Sequence, residues 1–445
     1  MVMMPSIHHA VVTGLSILSA YGLSLYLKKR AKHAPYPPGP KGYPIINNLL
    51  QIPKYHPWLA YADMAKQYGD MIFLRAFGQP ILVLCSSKRI NDLMDKRSSI
   101  YSGRPYSTMM NELLDWGNIF SIIDSNKRRW KRQRRMFHQT FNASVLPEYH
   151  HMIRRHVNRY LVHMLSSSSE FISHTHHALG GIIMNITYGF DAKSKEDPYI
   201  AESLKVSYAF KVSALPGAFL VDNIPLLKYV PAWFPGAGFK RFAKYYRNAT
   251  YNSQYMPFNF AMDAMNRNEV QPCAVTKLVE TFPDPADPDY GEIKEDLINA
   301  LGLSYVAGVE STDALLSAFV LVMAIHPDIQ KKAQAELDRV VGPDRLPDFD
   351  DKDDLVYLKA LITELVRWQQ VTPLAIPHKT TEDDYYDGYF IPKGTLVLGN
   401  AWAVLHDPEL FETPMEYNPE RYIKDGKFDD NLLNPLDFAF GFGRR

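Results

Sequence analysis

A long, mostly apolar helical stretch from Ala300 to Ile325 carries an acid and two hydroxyls near its centre. The central residues are Ala307-Gly308-Val309-Glu310-Ser311-Thr312. Acid and hydroxyl groups in an apolar helix cost free energy unless they are paired or used. The small pair would let a flat cofactor lie against the backbone, and the acid with the alcohols would form a proton path to bound dioxygen. The alternative is a helix bend, with a hydroxyl bonding back to a carbonyl one turn earlier.

A second candidate group is Trp130 with Arg134, four residues apart on a predicted helix. This spacing places the indole N–H and the guanidinium on one face, and both are pure donors that suit carboxylate groups. The alternatives are a packed tryptophan and a solvated arginine. Further cations surround Trp130 and are typical of a solvated face or a phosphate-binding patch: Lys127, Arg128, Arg129, Lys131, Arg132 and Arg135.

Glu364 and Arg367 lie three residues apart on one face of a predicted helix. Such pairs are common on solvated helices, so this spacing alone indicates little about function. Other local patterns predict a hairpin at Met71–Arg75 and Ile81–Cys85, and helices at 355–370 and after Pro327. A strand, a turn and a strand are predicted at residues 389–398, so the balance is mainly α with small β-sheets.

Composition limits the class of protein. The 445 residues can bury a large core, and no linker or repeat divides them, so one large globular unit is predicted. The formal net charge of +1 gives no electrostatic case for nucleic acid as a partner. The only cysteines, Cys85 and Cys273, exclude a disulfide scaffold and favour a reducing compartment. Neither lies in a glycine-rich, arginine-flanked turn, so both are interpreted as buried or incidental thiols.

The N-terminus predicts a membrane anchor at residues 1–30. Ala10–Leu27 is mostly apolar and is followed by Lys28-Lys29-Arg30-Ala31-Lys32. Positive charge on that side places the body in the cytosol, and it argues against the competing interpretation as a cleaved signal peptide. The proline-rich run at residues 35–44 predicts a stiff hinge, at residues 31–50, between anchor and body. A polyproline ligand for another domain is the alternative.

The last residues, Phe440-Gly441-Phe442-Gly443-Arg444-Arg445, resemble the haem-binding loop of the cytochromes P450, Phe-x-x-Gly-x-Arg-x-Cys-x-Gly. Phe440, Gly443 and Arg445 match its first three fixed positions, and the cysteine belongs two residues after Arg445. The motifs follow the family's order along essentially the whole chain: the anchor, the hinge, Trp130-x-x-x-Arg134, Ala307-Gly308-x-Glu310-Ser311-Thr312, Glu364-x-x-Arg367, Pro419-Glu420-Arg421-Tyr422 and the final loop. Segments such as residues 216–220 and 233–237 are similar to fungal microsomal members.

The resemblance implies the cytochrome P450 fold, a haem b cofactor and a role for each motif residue. Trp130, Arg134, His378 and Arg445 would hold the haem propionates, and Ala307 and Gly308 would lie against the haem together with the loop residues Phe440 and Gly443. Glu310 with Ser311 or Thr312 would deliver protons, although Ser311 stands where the family usually has threonine. Glu364, Arg367 and Arg421 would form a buried structural network under the haem loop.

The resulting hypothesis is a single-pass membrane protein of the endoplasmic reticulum, with a haem-thiolate monooxygenase domain at residues 51–445. It would hydroxylate a hydrophobic aromatic, xenobiotic or terpenoid substrate with electrons from NADPH-cytochrome P450 reductase. The segments 106–120 and 206–219, rich in apolar and aromatic residues, are expected to line the pocket.

Two alternatives remain at this point. One is an inactive, truncated relative with no haem ligand, in which the network of Glu364, Arg367 and Arg421 is exposed and stability is poor. The other is an all-α lipid-binding module that uses the same pocket without chemistry. Haem content separates the module from the enzyme, and the acid and alcohols near Glu310 favour oxygen chemistry.

Overall fold

The computed structural model describes residues 34–125, 127–192, 197–214, 217–269 and 271–444. The predicted anchor at residues 1–30 and the predicted propionate ligand Arg445 lie outside these ranges. Helices dominate the described residues. The α-helices are α1 (Pro57–Tyr68), α2 (Ser87–Ile90), α3 (Ser98–Tyr101), α4 (Arg128–Phe141), α5 (His150–Ser166), α6 (Phe171–Tyr188), α7 (Pro198–Ser213), α8 (Leu220–Asn223), α9 (Gly238–Asn266), α10 (Ala274–Val279), α11 (Tyr290–Ile325), α12 (Pro327–Val340), α13 (Val356–Trp368), α14 (Ala401–Leu405) and α15 (Leu436–Ala439).

The strands form small sheets beside the helices. They are β1 (Met71–Ala76), β2 (Gln79–Leu84), β3 (His378–Lys379), β4 (Asp384–Tyr386), β5 (Tyr389–Ile391), β6 (Leu396–Gly399), β7 (Ile423–Lys424) and β8 (Lys427–Phe428). The largest sheet has the order β1-β2-β6-β3, while β4 pairs with β5 and β7 with β8. The β2–β6 pair is parallel, and the β1–β2 and β3–β6 pairs are antiparallel. The mainly α fold with small β-sheets is thus confirmed.

The predicted hairpin is confirmed, with its turn slightly earlier than the sequence suggests. Ala76 pairs with Gln79, so the turn consists of Phe77 and Gly78, whereas the predicted strands left residues 76–80 between them. Both turn residues have positive φ, 46° and 83°, as a two-residue turn that matches the strand twist requires. The strands predicted at residues 389–398 are also present, but β5 pairs with β4 whereas β6 lies between β2 and β3.

The central helix is α11, which packs against α4, α6, α7 and α9. Leu297, Leu301, Tyr305 and Val309 belong to its buried side and recur every four residues, as one face of a helix requires. By length and apolar composition α11 would also qualify as a membrane span, a test that core helices pass too. Its contacts with four other helices favour the core position.

The proline-rich segment is attached to the sheet. Tyr36 stacks on Phe73 with ring centroids 5.0 Å apart. The N–H of Phe73 donates to the carbonyl of Pro38 at 2.7 Å, and that of Phe390 to the carbonyl of Pro35 at 2.8 Å. Proline lacks an N–H but keeps a carbonyl, so the segment can accept hydrogen bonds from strand residues. From Pro35 onward the segment is therefore fixed on the sheet, and the hinge between anchor and body stays a prediction.

Candidate functional site

The acid and the hydroxyls at the centre of α11 all have partners. Glu310 forms an ion pair with Lys211 of α7; the Glu310 side chain is 17% exposed and that of Lys211 is 61% exposed. Ser311 Oγ and Thr312 Oγ1 each donate to the carbonyl four residues earlier, at 2.7 Å. Both hydroxyls therefore bond back to their own helix, as the alternative interpretation expected. Each oxygen keeps lone pairs that can accept a hydrogen bond.

Gly308 faces a neighbouring helix. A Cβ on Gly308 would lie 3.1 Å from Cδ1 of Ile183 in α6, so the missing side chain lets α6 pack closely on α11. Gly308 thus has a packing role, and its predicted place against a flat cofactor stays a prediction. Ala307 is exposed, and Ser311 follows it by one helical turn. Ala307 and Ser311 therefore share the open face of α11.

One buried carboxylate attaches α4 to α11. Asp296 of α11 is fully buried and accepts from Nε of Arg129 at 2.7 Å and from Nε2 of Gln133 at 2.8 Å. Arg132 donates to the same carboxylate and also pairs with Glu292. Sequence reasoning missed Asp296; its only sequence signal is an acid directly before the apolar run of α11, which a partner must compensate.

The Asp296 contacts fix the helix that carries Trp130 and Arg134. Both are half-buried, one turn apart on α4. Within the ranges that the structure describes, Arg134 forms no hydrogen bond or ion pair. A half-buried guanidinium of this kind can accept an anionic group such as a propionate.

The basic cluster around Trp130 is partly neutralised inside the molecule. Arg128 pairs with Asp289 at 2.6 Å, and two further arginines of the cluster bind the carboxylates of α11. Its remaining exposed cations are Lys127, Lys131 and Arg135. The number of unpaired basic residues on this surface is therefore smaller than the sequence suggests.

His378 lies at the start of β3 with 2% of its surface exposed. Its Nδ1 lies 2.8 Å from the carbonyl of Tyr101, so Nδ1–H is the donor of that hydrogen bond. To donate to a propionate as well, the ring must carry a second proton on Nε2. Arg104, which sequence reasoning missed, donates to the carbonyls of Ile376 and Pro377 and so fixes the backbone before His378.

The final loop is anchored by Phe442 and by the motif residue Gly443. Phe440 is 78% exposed, whereas Phe442 is 2% exposed within the sheet-side core. Gly443 has a φ of 60°, and a Cβ there would overlap the carbonyl of Met94. Only glycine fits this position without displacing the backbone. The loop therefore presents Phe440 outward, away from the contacts that hold the loop in place.

Glu364, Arg367 and Arg421 come together as a buried cluster. Arg367 donates to both oxygens of Glu364, at 2.7 and 2.8 Å, and Arg421 Nε donates to Oε1 at 3.1 Å. The side chains of the pair are fully buried and that of Arg421 is 8% exposed. Arg367 also donates to three backbone carbonyls, those of Leu405, Pro414 and Glu416. The expectation of an exposed network in the 445-residue chain is therefore wrong.

A small cavity of about 20 Å³ lies beside α11, and we call it the α11 cavity. Its lining includes Trp116, Val206, Phe210, Gln254, Leu303 and Val306. The predicted pocket segments 106–120 and 206–219 both contribute, while the contributions of α9 and α11 were missed. Trp116 is fixed by a hydrogen bond from Nε1 to Thr250 Oγ1 at 2.8 Å. A wider cleft beside α6, lined by His176 and Leu204, is open to solvent.

Neither cysteine is suited to bind iron. Both are buried, and burial raises the pKa of the Cys85 thiol to about 12 and raises that of Cys273 as well. Each thiol therefore stays protonated, whereas metals bind the thiolate. The described ranges also hold no group of three or more His, Cys, Asp or Glu side chains that could bind a metal ion.

The residues fit a flat, anionic cofactor on the open face of α11. Arg134 can pair with an acidic substituent, Ala307 offers a small exposed side chain, and the cavity adjoins the same helix. A haem has the matching chemistry, with an apolar ring face and propionate groups.

The protein-family model for cytochrome P450 matches residues 37–445. The chain is 38% identical to cytochrome P450 monooxygenase COX1 of Coprinopsis cinerea, over 99% of this chain and 86% of that protein. It is 40% identical to cytochrome P450 monooxygenase COX2 of the same fungus, over 95% and 81%. It is 37% identical to tryptamine 4-monooxygenase of Psilocybe cyanescens, over 94% and 82%. The chain therefore belongs to the cytochrome P450 family, as its motifs indicate.

Proposed function

We propose that this P450 is a haem-thiolate monooxygenase that hydroxylates a hydrophobic substrate with dioxygen. The observation that carries the proposal is the acid and alcohols of α11 one to two turns from the apolar α11 cavity. A thiolate-ligated haem, when bound, supplies the activation of dioxygen. The protein's own residues hold that group, exclude water and deliver protons.

Haem binding is assigned to three described donors and to Arg445. Arg134 and Trp130 act from α4, whose position depends on the buried Asp296. His378 acts from β3 with its ring held by Tyr101. Charged donors against propionates make strong hydrogen bonds in a water-poor site. We expect Arg134 to contribute most, because its guanidinium has no competing partner in the described part of the chain.

Proton delivery is assigned to Glu310 with Ser311. Lys211 connects Glu310 to solvent, since more than half of the lysine side chain is exposed. Ser311 lies on the open face of α11, and its oxygen can accept a proton while its own hydrogen is donated onward after rotation. Thr312 is also exposed, but it lies on a different side of α11 from Ala307.

The haem-ligating cysteine is proposed to lie two residues after Arg445 in the natural protein. Mass spectrometry of the C-terminal peptide from the native source tests this directly. A peptide that continues with cysteine as its second added residue supports the enzyme, and a reduced carbon-monoxide difference spectrum of the haem-containing protein then checks the thiolate. A native C-terminus at Arg445 would support the inactive relative, because both cysteines of the chain are buried and protonated.

Membrane attachment to the endoplasmic reticulum with a cytosolic body is proposed from Ala10–Leu27 and the basic residues after it. Large apolar and aromatic side chains are also exposed between α8 and α9, which suits contact with a lipid surface: Leu226, Tyr229, Trp233 and Phe234. Extraction with alkaline carbonate tests the anchor. Release of the protein into the supernatant would contradict it.

Electrons are proposed to come from NADPH through a reductase that contacts Lys127, Lys131 and Arg135. Steering of this kind raises the association rate and weakens with salt. We expect reduction by the reductase to slow as ionic strength rises, and charge reversal at Lys131 to flatten that dependence. An unchanged salt dependence would contradict the assignment of this surface.

The substrate is proposed to be an apolar molecule that contains a ring. Trp116 and Phe210 form an aromatic wall of the α11 cavity. The similarity to an enzyme named tryptamine 4-monooxygenase supports oxygenation of a ring as the reaction class. Turnover of a panel of aromatic and terpenoid compounds by the reconstituted protein tests it.

A further inference from the structure

Asp313 of α11 is an acid with no part in the proton delivery proposed above. Its side chain is 15% exposed, and its Oδ2 lies 3.1 Å from Nε2 of His176 in α6. The other carboxylate oxygen, Oδ1, is buried and has no hydrogen-bond partner among the residues that the structure describes. A buried carboxylate oxygen without a donor costs free energy, so this environment favours a carboxyl group that takes up a proton.

Asp313 and Glu310 are neighbours on α11. They are three residues apart, a spacing that places two side chains on one face of a helix. Burial raises the pKa of Asp313 and the charge of Glu310 raises it further, while the charges of His176 and Lys211 act in the opposite direction. Two acids that interact in this way can pass a proton between them, directly or through one water molecule.

His176 connects Asp313 with solvent. The Nε2 atom of the ring is buried against Asp313, whereas 24% of the side chain is exposed. The ring lines the open cleft beside α6, which has a volume of about 580 Å³ and which we call the α6 cleft. Glu170 and Ser173 add polar surface to this cleft, and Leu204 of α7 adds apolar surface. Histidine is the side chain that ordinarily gains and loses protons between pH 5 and 8.

Packing holds α6 against α11 without help from this pair. A Cβ on Gly308 would lie 3.1 Å from Cδ1 of Ile183, and a Cβ on Gly180 would lie 3.0 Å from the hydroxyl of Tyr305. These close contacts join the same two helices through apolar and aromatic groups. An ion pair that water reaches adds little stability to such an interface. The position of the pair between the α6 cleft and Glu310 therefore suits proton transfer better than a structural role.

We propose that His176 is a second proton entry for Glu310, and that it loads Asp313 from the α6 cleft in parallel with the contact of Lys211. Nδ1 of the neutral ring takes a proton from water, and Nε2 gives its own proton to Oδ2 of Asp313. Asp313 passes this proton to Glu310 and becomes a carboxylate again. The ring stays neutral, and its remaining proton returns from Nδ1 to Nε2 through water. One proton has then moved from solvent to Glu310. The use of this proton rests on the proposed oxygen chemistry, but the path itself does not.

The first test is labelling of the purified full chain with diethyl pyrocarbonate, which modifies accessible imidazoles, followed by peptide mass spectrometry. His176 should react several times faster than His174 and His177, which lie on the same helix and are 3% and 7% exposed. A His176 that reacts as slowly as these two would overturn the proposal, because no proton could then enter from the α6 cleft.

The second test measures product formed per NADPH consumed by the haem-containing protein. His176→Gln should lower this ratio about two- to threefold, as Lys211→Gln does, because each variant leaves the other contact in place. The double variant should lower it about thirtyfold or more, since Glu310 then loses both routes and general acid catalysis contributes about 10²–10⁴. Asp313→Asn should behave like His176→Gln, and Asp313→Glu, which keeps a carboxyl group, should restore the ratio. His151→Gln, at an exposed position of α5, is the matched control and should have no effect.

A double variant that is no worse than the product of its two single effects would overturn the proposal. It would also be overturned if His176→Gln lowered the free energy of unfolding but left the product ratio unchanged, because the pair would then be structural. The labelling needs neither haem nor turnover. A protein with a reactive His176 but no carbon-monoxide spectrum would therefore contradict the monooxygenase, whereas a working monooxygenase with an unreactive His176 would contradict the proton entry alone.

Discussion

Two charged clusters of this P450 are built from similar residues but differ in how fully they are satisfied. Around Glu364, two arginines and the N–H of Asn418 saturate a carboxylate that is sealed from water. At Glu310, the ion-pair partner in the described part of the chain is one lysine that reaches into solvent. A sealed, saturated charge suits a structural role, while a carboxylate with one exposed partner can exchange protons with water. The predictions that follow test this difference.

The largest expected effect is at Glu364. Glu364→Gln removes the negative charge between two buried guanidinium groups, and loss of one member of a buried charge cluster typically costs about 3–5 kcal/mol. Urea unfolding measures the free energy of unfolding. The control is Lys66→Ala, in an ion pair whose side chains are 80% and 73% exposed, with an expected loss below about 1 kcal/mol. Similar losses in both variants would remove the distinction between sealed and exposed charges.

Asp296 provides a second sealed charge for comparison. Asp296→Asn should cost roughly 2–3 kcal/mol, because two arginines lose their buried counter-charge. Urea unfolding again measures the loss, and Asp328→Asn at an exposed first turn of α12 serves as the control. A loss confined to the control would contradict the role assigned to Asp296.

His406 lies near Arg367 of the buried cluster and makes the free energy of unfolding depend on pH. Burial, assisted by the charge of Arg367, lowers the pKa of His406 to about 4 from an ordinary value near 6.5. Between these values the unfolded chain binds more protons than the folded one, so the free energy of unfolding falls as pH falls from about 6.5 to 4. His406→Asn should flatten this slope in urea melts at pH 7, 5.5 and 4.5. His156, also with a pKa of about 4, should keep part of the slope. Identical slopes in both proteins would contradict the assignment.

The α11 hydroxyls should differ from each other. In the haem-containing protein, Ser311→Ala should lower product formed per NADPH consumed by about tenfold, below the usual 10²–10⁴ range because water can replace the hydroxyl in part. Thr312→Ala should lower it less than about twofold, since Thr312 does not share the face of Ala307. Measuring both variants in parallel makes each the control of the other. The reverse order would move the relay to Thr312.

The smallest effect is expected at Lys211. Lys211→Gln should change the free energy of unfolding by less than about 0.5 kcal/mol, because the lysine side chain is 61% exposed. Product per NADPH should nevertheless fall about two- to threefold, since Glu310 loses its partner. Lys205→Gln, on the same helix and paired with Glu202, is the matched control. A large loss of stability would mean that Glu310 belongs with the sealed charges after all.

The elements that were predicted correctly depend on local patterns, which involve only a few neighbouring residues in the sequence. Alternation and turn residues gave the hairpin of β1 and β2, and helical spacing gave α13. The pairing of β6 with β2 joins residues more than 300 positions apart, and no local pattern carries that information. The contact of Gly308 with Ile183 of α6 is a second example. A helix sequence does not say which neighbour each face meets.

The site was predictable where the family motif supplied the partner. Glu364 and Arg367 are neighbours by spacing alone, while Arg421 entered only through the resemblance. Asp296 and Arg104 were missed, because each is a single polar residue whose contacts lie on distant elements. The general cost of burying an unpaired polar group could have marked Asp296 for attention, but not identified its role.

The attachment of Pro35 and Pro38 to the strands sets a limit on how far the body can move from the bilayer. The apolar run of the proposed anchor ends at Leu27, and seven residues separate it from Pro35. Even a fully extended chain of this length reaches only roughly 25–30 Å. The sheet then stays within this distance of the bilayer surface, so the body of the protein remains close to the lipid. An apolar compound dissolved in the membrane would meet this enzyme at a far higher local concentration than the same compound in bulk water.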